Sequence, residues 1–167
     1  MTLRGLSLIN ASEGIYVTGS GTLTIVLDEA ETSEIKTNTQ AVFVMAGLHI
    51  TGSGTLIASS KRKSSTTIYA SNGIAIDGGA TVHATKETYD PDFIPNDLPA
   101  QAITTATDSI TISGEHTSVK AVNEGNGETS YALFCGEIYK SEPEIRGAVT
   151  VSDGATLEVQ AADTRAV

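Results

Sequence analysis

His83, Lys120 and Glu158 are the nearest this sequence comes to acid–base machinery. Each is the middle residue of an alternating triplet: Val82-His83-Ala84, Val119-Lys120-Ala121 and Leu157-Glu158-Val159. If those triplets pair side by side, period-2 geometry sends all three polar side chains to one face. A His–Lys–Glu row can be drawn as proton-transfer chemistry, and a solvated row of surface residues produces the same pattern. Paired carboxylates for glycoside hydrolysis are harder to find. Asp77 and Asp153 stand at equivalent corners two repeats apart, and an Asp beside Gly is ordinarily a turn-former bonding its own backbone. Cys135 falls on an inward position with no His in view, which reads as a small core residue rather than a nucleophile. No catalytic residue is assigned.

The aromatic residues are more suggestive of binding. Phe43, Tyr69 and Phe134 occupy the outward position of Val42-Phe43-Val44, Ile68-Tyr69-Ala70 and Leu133-Phe134-Cys135. Stacked one strand spacing apart (~4.8 Å), exposed rings can lie against the apolar faces of sugars. Alternatively the protein's own loop 86–100 covers them, since its Tyr89, Phe93, Ile94 and Leu98 must pack on something. The same loop offers Asp90, Asp92 and Asp97 near Glu87, hard oxygen ligands of the kind calcium takes. They lack the EF-hand's Gly at the sixth position and Glu at the twelfth, so an acidic, solvated loop is the other reading. Lys61-Arg62-Lys63 is a basic triplet at a variable corner, suited to a solubilising tip or to an acidic glycan.

The composition says what must position these groups. The 167 residues carry 10 Lys plus Arg against 20 Asp plus Glu, a net charge of −10. Such a surface repels phosphate backbones and anionic lipid, so no nucleic-acid partner is expected. No apolar window is long enough for a membrane span. There are 23 Thr, 16 Ser and 16 Gly beside only 4 Pro, a balance that suits strands and turns rather than helices or disorder. One Cys rules out an internal disulfide.

Self-comparison supplies the architecture. Gly14-Ile15-Tyr16-Val17-Thr18-Gly19-Ser20-Gly21-Thr22-Leu23 recurs as Gly47-Leu48-His49-Ile50-Thr51-Gly52-Ser53-Gly54-Thr55-Leu56, and again over 73–82. Weaker copies begin at Ser109 and Ala148. Each copy holds two short alternating strands around a Gly-rich corner, and a third strand precedes it: Leu6-Ser7-Leu8, Val42-Phe43-Val44, Ile68-Tyr69-Ala70, Ile103-Thr104-Thr105 and Leu133-Phe134-Cys135. The first inward residues of the second and third strands are 8 apart in four copies and 9 in the fourth. Constant corners with one variable corner are what stacked coils require. An antiparallel sandwich also has many short strands but gives no reason for equal corners. The expectation is therefore an all-β, right-handed parallel β-helix, a solenoid of about five coils of three short strands. Residues 1–167 form a single domain, with larger loops at 26–40, 86–100, 122–130 and 136–147.

The motifs over 14–25, 48–56 and 68–82 resemble the carbohydrate-binding β-helix domains of bacterial surface proteins, within the broader pectate-lyase-like superfamily. The resemblance implies a secreted or cell-surface bacterial protein, of which this chain is a fragment, and implies plant polysaccharides and calcium as ligands. A lyase of this kind needs stacked carboxylates and a Lys or Arg base on one face. No outward row of this sequence supplies a stack of acids. The functional expectation is a non-catalytic module for polysaccharide or host-glycan binding or adhesion, with Phe43, Tyr69 and Phe134 as ligand-binding residues. A lyase- or hydrolase-like β-helix with active groups outside this chain is the alternative, and a purely structural stalk is the second. Open coil ends invite end-to-end self-association.

Overall fold

The computed structural model describes residues 1–61, 65–87, 100–125, 131–139 and 142–162. Alternation of aliphatic residues with Thr, Ser and occasional charges gives sixteen strands and no helix among the described residues. In chain order these are β1 (Thr2–Leu3), β2 (Ser7–Ala11), β3 (Ile15–Val17), β4 (Thr22–Leu27), β5 (Thr32–Thr37) and β6 (Val42–Val44). They continue as β7 (Gly47–Gly52), β8 (Thr55–Ser60), β9 (Thr66–Ile76), β10 (Thr81–Lys86) and β11 (Gln101–Ser113). The last are β12 (Ser118–Asn123), β13 (Tyr131–Tyr139), β14 (Glu142–Ile145), β15 (Val149–Ser152) and β16 (Thr156–Ala161).

Parallel pairing sorts them into three ladders. The first runs Ile15, Val42, Ile68, Ile103, Leu133 through β3, β6, the front of β9, the front of β11 and β13. The second runs Leu23, Leu48, Ile74, Ile110, Val149 through β4, β7, the rear of β9, the rear of β11 and β15, with β1 added beside β4. The third joins β2, β5, β8, β10, β12 and β16, aligning Leu56 with Val82, Val119 and Leu157. After β1 and β2 the chain visits first, second and third ladder in that order five times. Because β9 and β11 pass through a corner without ending, the first two ladders share one ten-stranded sheet, and the third is a separate six-stranded sheet. Among the described residues the single antiparallel pair is β13 with β14.

One apolar core draws on all three ladders. The expected inward residues from Val42 to Val119 are buried, among them Ile50, Leu56, Ile68, Val82, Ile103 and Ile112 at 1% exposure or less. At the two ends the equivalents are only partly buried, as at Leu6, Ile15, Leu157 and Val159. Val151 of β15 is 41% exposed, and among the described residues β15 pairs with β11 alone. Gly52 is required where it stands: its φ is 99° and an added Cβ would collide with the Leu27 carbonyl.

Four expectations are corrected. Leu6-Ser7-Leu8 does not open the first ladder, since Leu8 aligns with Ile35 in the third. The Gly14–Leu23 repeat is displaced by one ladder: Ile15 aligns with Val42, and Leu23 with Leu48. The stretch 26–40, expected as a loop, contains β5, whose inward residues are Ser33, Ile35 and Thr37, all at 2% exposure or less. With a single aliphatic residue inward, β5 lacks the alternation that marks the other strands. The expected loop 136–147 likewise carries the end of β13 and all of β14.

At its far end the third ladder turns polar inside. Thr37, Ser60, Lys86 and Asn123 are aligned neighbours, each at 2% exposure or less. Ser60 Oγ and Thr67 Oγ1 lie 2.7 Å apart, and Asn123 Nδ2 donates to the Ala100 and Tyr131 carbonyls at 2.6 and 3.0 Å. These bonds tie the third ladder to residues at the start of first-ladder strands. The Lys86 ammonium donates to the Ser60 and Glu87 carbonyls at 3.1 and 3.2 Å. Burial pushes its pKa down to about 8, against the opposing pull of Glu87 and Glu124.

Two stability measurements follow from this packing. Ile50→Ala should cost about 2–5 kcal/mol in urea unfolding and Val151→Ala under about 1, because only the first leaves an enclosed cavity. For Lys86 the folded pKa lies below the unfolded value of 10.5, so between pH 8 and 10.5 the unfolded chain binds more protons. Stability relative to Lys86→Met should therefore rise across that window, by on the order of 3 kcal/mol. A flat difference from pH 7 to 11 contradicts the assignment.

Candidate functional site

The outward positions of the first ladder form a column, because parallel pairing in register sets each residue on its equivalent one circuit away. The column reads Tyr16, Phe43, Tyr69, Thr104, Phe134. Tyr16 and Phe43 stack with ring centroids 4.8 Å apart and planes 8° from parallel; Phe43 and Tyr69 follow at 4.9 Å and 12°. Tyr16 is 52% exposed, and Phe43 and Tyr69 are half-buried. Centroid separations near the strand spacing show that the rings inherit the backbone repeat.

The three expected ligand residues are thus divided. Phe43 and Tyr69 stand together, and Tyr16 joins them, a residue that the displaced first repeat had assigned to another ladder. Phe134 lies beyond Thr104, is 7% exposed, and stacks on Tyr131 at 4.9 Å and 28°. The Thr104 hydroxyl at this break is buried and has no hydrogen-bond partner among the described residues. Asp90, Asp92 and Asp97 lie outside the described residues, as does most of loop 86–100. Among the described residues no group of three His, Cys, Asp or Glu could hold a metal ion.

Just past Tyr69 the chain turns from the first ladder into the second at Asn72-Gly73, and one circuit later at Asp108-Ser109. Gly73 and Asp108 take positive φ of 76° and 71° there. The turn is fixed from within, since Thr105 Oγ1 accepts the Gly73 amide at 2.8 Å and donates to the Thr107 carbonyl at 2.7 Å. Outside it lies an open groove of about 250 Å³, lined by Thr22, His49, Asn72, Asp108, Ser109 and Thr111 beside backbone of the same strands. His49 Nε2 sits 3.0 and 2.9 Å from the two Asp77 carboxylate oxygens. Burial raises the Asp77 pKa, but hydrogen bonds from Thr51 and His49 outweigh it and hold the carboxyl below its ordinary value.

The His83–Lys120–Glu158 row exists as an aligned column of the third ladder. Its chemistry is an exposed ion pair, Lys120 Nζ to Glu158 Oε1 at 2.8 Å, of the kind that adds little stability. Cys135 is buried, its Sγ 3.6 Å from the Ala148 carbonyl. Burial pushes the thiol's pKa up, which disfavours the reactive thiolate. Asp153 sits in its turn with φ 54° and accepts the Ser152 hydroxyl at 3.0 Å. The His49–Asp77 pair was not foreseen. Its signal lay in the repeat, where His49 holds the outward position and Asp77 begins the corner one circuit on.

Compared with known proteins, the chain matches no family model, no curated protein and no solved structure.

The lowered Asp77 pKa gives a signed expectation. Its contribution is complete above the ordinary aspartate range, about 3.9, and is lost as pH falls through the lower folded value. Asp77→Asn should reduce stability at pH 7 by less than about 1 kcal/mol, since the pair is one-third exposed. The deficit should shrink as the pH falls into the acid range, as chemical denaturation at pH 7 and pH 2.5 would show.

Proposed function

We propose that the three ladders wind as a right-handed parallel β-helix and that this chain is a non-catalytic, extracellular glycan-binding module of a bacterial surface protein. The observation that carries the reading is the open stack Tyr16–Phe43–Tyr69. Three near-parallel rings on neighbouring strands of the ladder form a flat apolar strip, followed two residues on along the chain by Thr18, the exposed Met45 and Ser71. Sugar rings pair one apolar face with a rim of hydroxyls, and such a strip receives both. The rigid ladder holds the rings in place before the ligand arrives, which lowers the entropic cost of binding. The sequence resemblance to carbohydrate-binding β-helix domains supports the same reading.

A lyase would need a base and a cation-holding acid cluster beside the stack, and the ion-paired Lys120 stands on the third ladder instead. The module is therefore assigned binding and no turnover. Among the described residues β2, β3 and β16 are each paired on one side alone, which suits end-to-end contacts through the proposed coil ends.

The deciding experiment is a glycan and polysaccharide array, run with and without calcium. The chain should be retained by at least one polysaccharide. Tyr16→Ala with Tyr69→Ala should weaken that retention more than tenfold while the thermal melt holds, since base-free ring stacking contributes on the order of 1 kcal/mol per contact. Retention of no glycan would leave the stalk reading, and release of unsaturated sugar absorbing at 235 nm would favour the lyase.

A further inference from the structure

We propose that the groove beside the aromatic stack makes this site selective for neutral, hydroxyl-rich sugars and turns away uronates and other acidic ones. The inference rests on the glycan-binding reading and adds the class of sugar. Its first support is the charge of the groove. Among the described residues that line it there is no Lys or Arg; the ionisable members are His49 and Asp108. His49 is already matched by Asp77, with Nε2 within 3.0 Å of both carboxylate oxygens. With a neutral imidazole the pair carries one negative charge, and with an imidazolium it carries none. In neither state does it offer a positive charge to a ligand. Asp108 adds a second carboxylate, in a chain whose net charge is −10. A sugar carboxylate entering the groove would lose water without gaining a cation, and like charges in a cleft repel.

The second support is the set of hydrogen-bonding groups left over. A carboxylate only accepts, so His49 Nε2 carries the proton of the contact with Asp77. The neutral ring therefore presents Nδ1 as an acceptor, on a side chain 32% exposed. Asp108 Oδ1 accepts the Ser109 amide at 2.8 Å, and the carboxylate keeps further lone pairs to accept from a ligand hydroxyl. Ser109 Oγ accepts the Ala148 amide at 3.2 Å and keeps its proton to donate. Thr22 and Thr111 add exposed hydroxyls. The set is weighted toward acceptors with a few neutral donors, and it complements rings that bring O–H groups. Selectivity arises as much from the penalty on the wrong ligand as from contacts with the right one.

Paired polymers that differ at the carboxylate, one acidic and one neutral, test this: polygalacturonate against its methyl ester, and hyaluronan against its carboxyl-reduced form. Affinity electrophoresis at low ionic strength should show the neutral member of a pair bound at least tenfold more tightly. Asp108→Asn keeps the side chain's shape and suits the positive φ, so it should narrow that ratio severalfold with no change in melting temperature. His49→Gln should weaken the neutral polymer and leave the acidic one unchanged. If the acidic member binds equally or better, and Tyr16→Ala with Tyr69→Ala abolishes it, glycan binding stands and the selectivity is overturned. An unchanged ratio in Asp108→Asn overturns the role of the groove. Binding of neither member of any pair, beside a blank array, overturns the glycan reading and this inference together.

Discussion

Everything in this molecule depends on parallel strands aligned residue to residue. In such a ladder each amide is bonded to the neighbouring strand, and each side chain sits over its equivalent about 4.8 Å away. Inward columns then become continuous aliphatic files, such as Leu48–Ile74–Ile110. A core this narrow holds together without large side chains: only 3 Phe, 5 Tyr and no Trp occur in the whole chain. The same alignment explains why the corners are so constrained. Where the step is one residue longer, from Ile110 to Val119, the turn absorbs the extra residue and Val119 stays buried in line with Val82.

The outer face obeys the same rule, so chemistry here is organised in columns. A ring placed on one strand is stacked by any ring at the same position of the next strand, and Tyr16, Phe43 and Tyr69 are held nearly parallel without a dedicated contact to orient them. The column stops where Thr104 replaces a ring, its hydroxyl buried without a partner among the described residues. Columns also decide which charges meet, as with Lys120 and Glu158. The His49–Asp77 contact is different in kind. It joins a strand position to a corner one circuit on, and so depends on how far the backbone turns between ladders.

Much of the middle of the chain was legible residue by residue. Leu48, Ile50, Leu56, Ile74, Ile76 and Val82 repeat at constant spacing, and their strands pair as that spacing implies. The first circuit was misread for a physical reason: a two-strand unit with an eight-residue step looks the same whether it spans the first and second ladders or the second and third. The discriminating strand was β5, and its inward Ser33 and Thr37 hide it, because a buried hydroxyl satisfied by backbone costs little and gives no hydrophobic signal. The error moved Tyr16 off the aromatic column. Phe134 was placed correctly on that column, yet burial and a partner in Tyr131 set it apart from the open stack.

The sequence by itself determined the periodicities, and through them the all-β class, the parallel alignment of the central strands and the outward placement of Phe43 and Tyr69. Those are local consequences of alternation and of equal steps along the chain. The tertiary structure decided which ladder each terminal strand joined, that Lys86 is buried among carbonyls, and that His49 meets Asp77 beside an open groove. Each of these depends on the angle at a corner and on what lies beyond it. Composition and spacing record the length of a corner, whereas its direction is set only when the strands on both sides have packed.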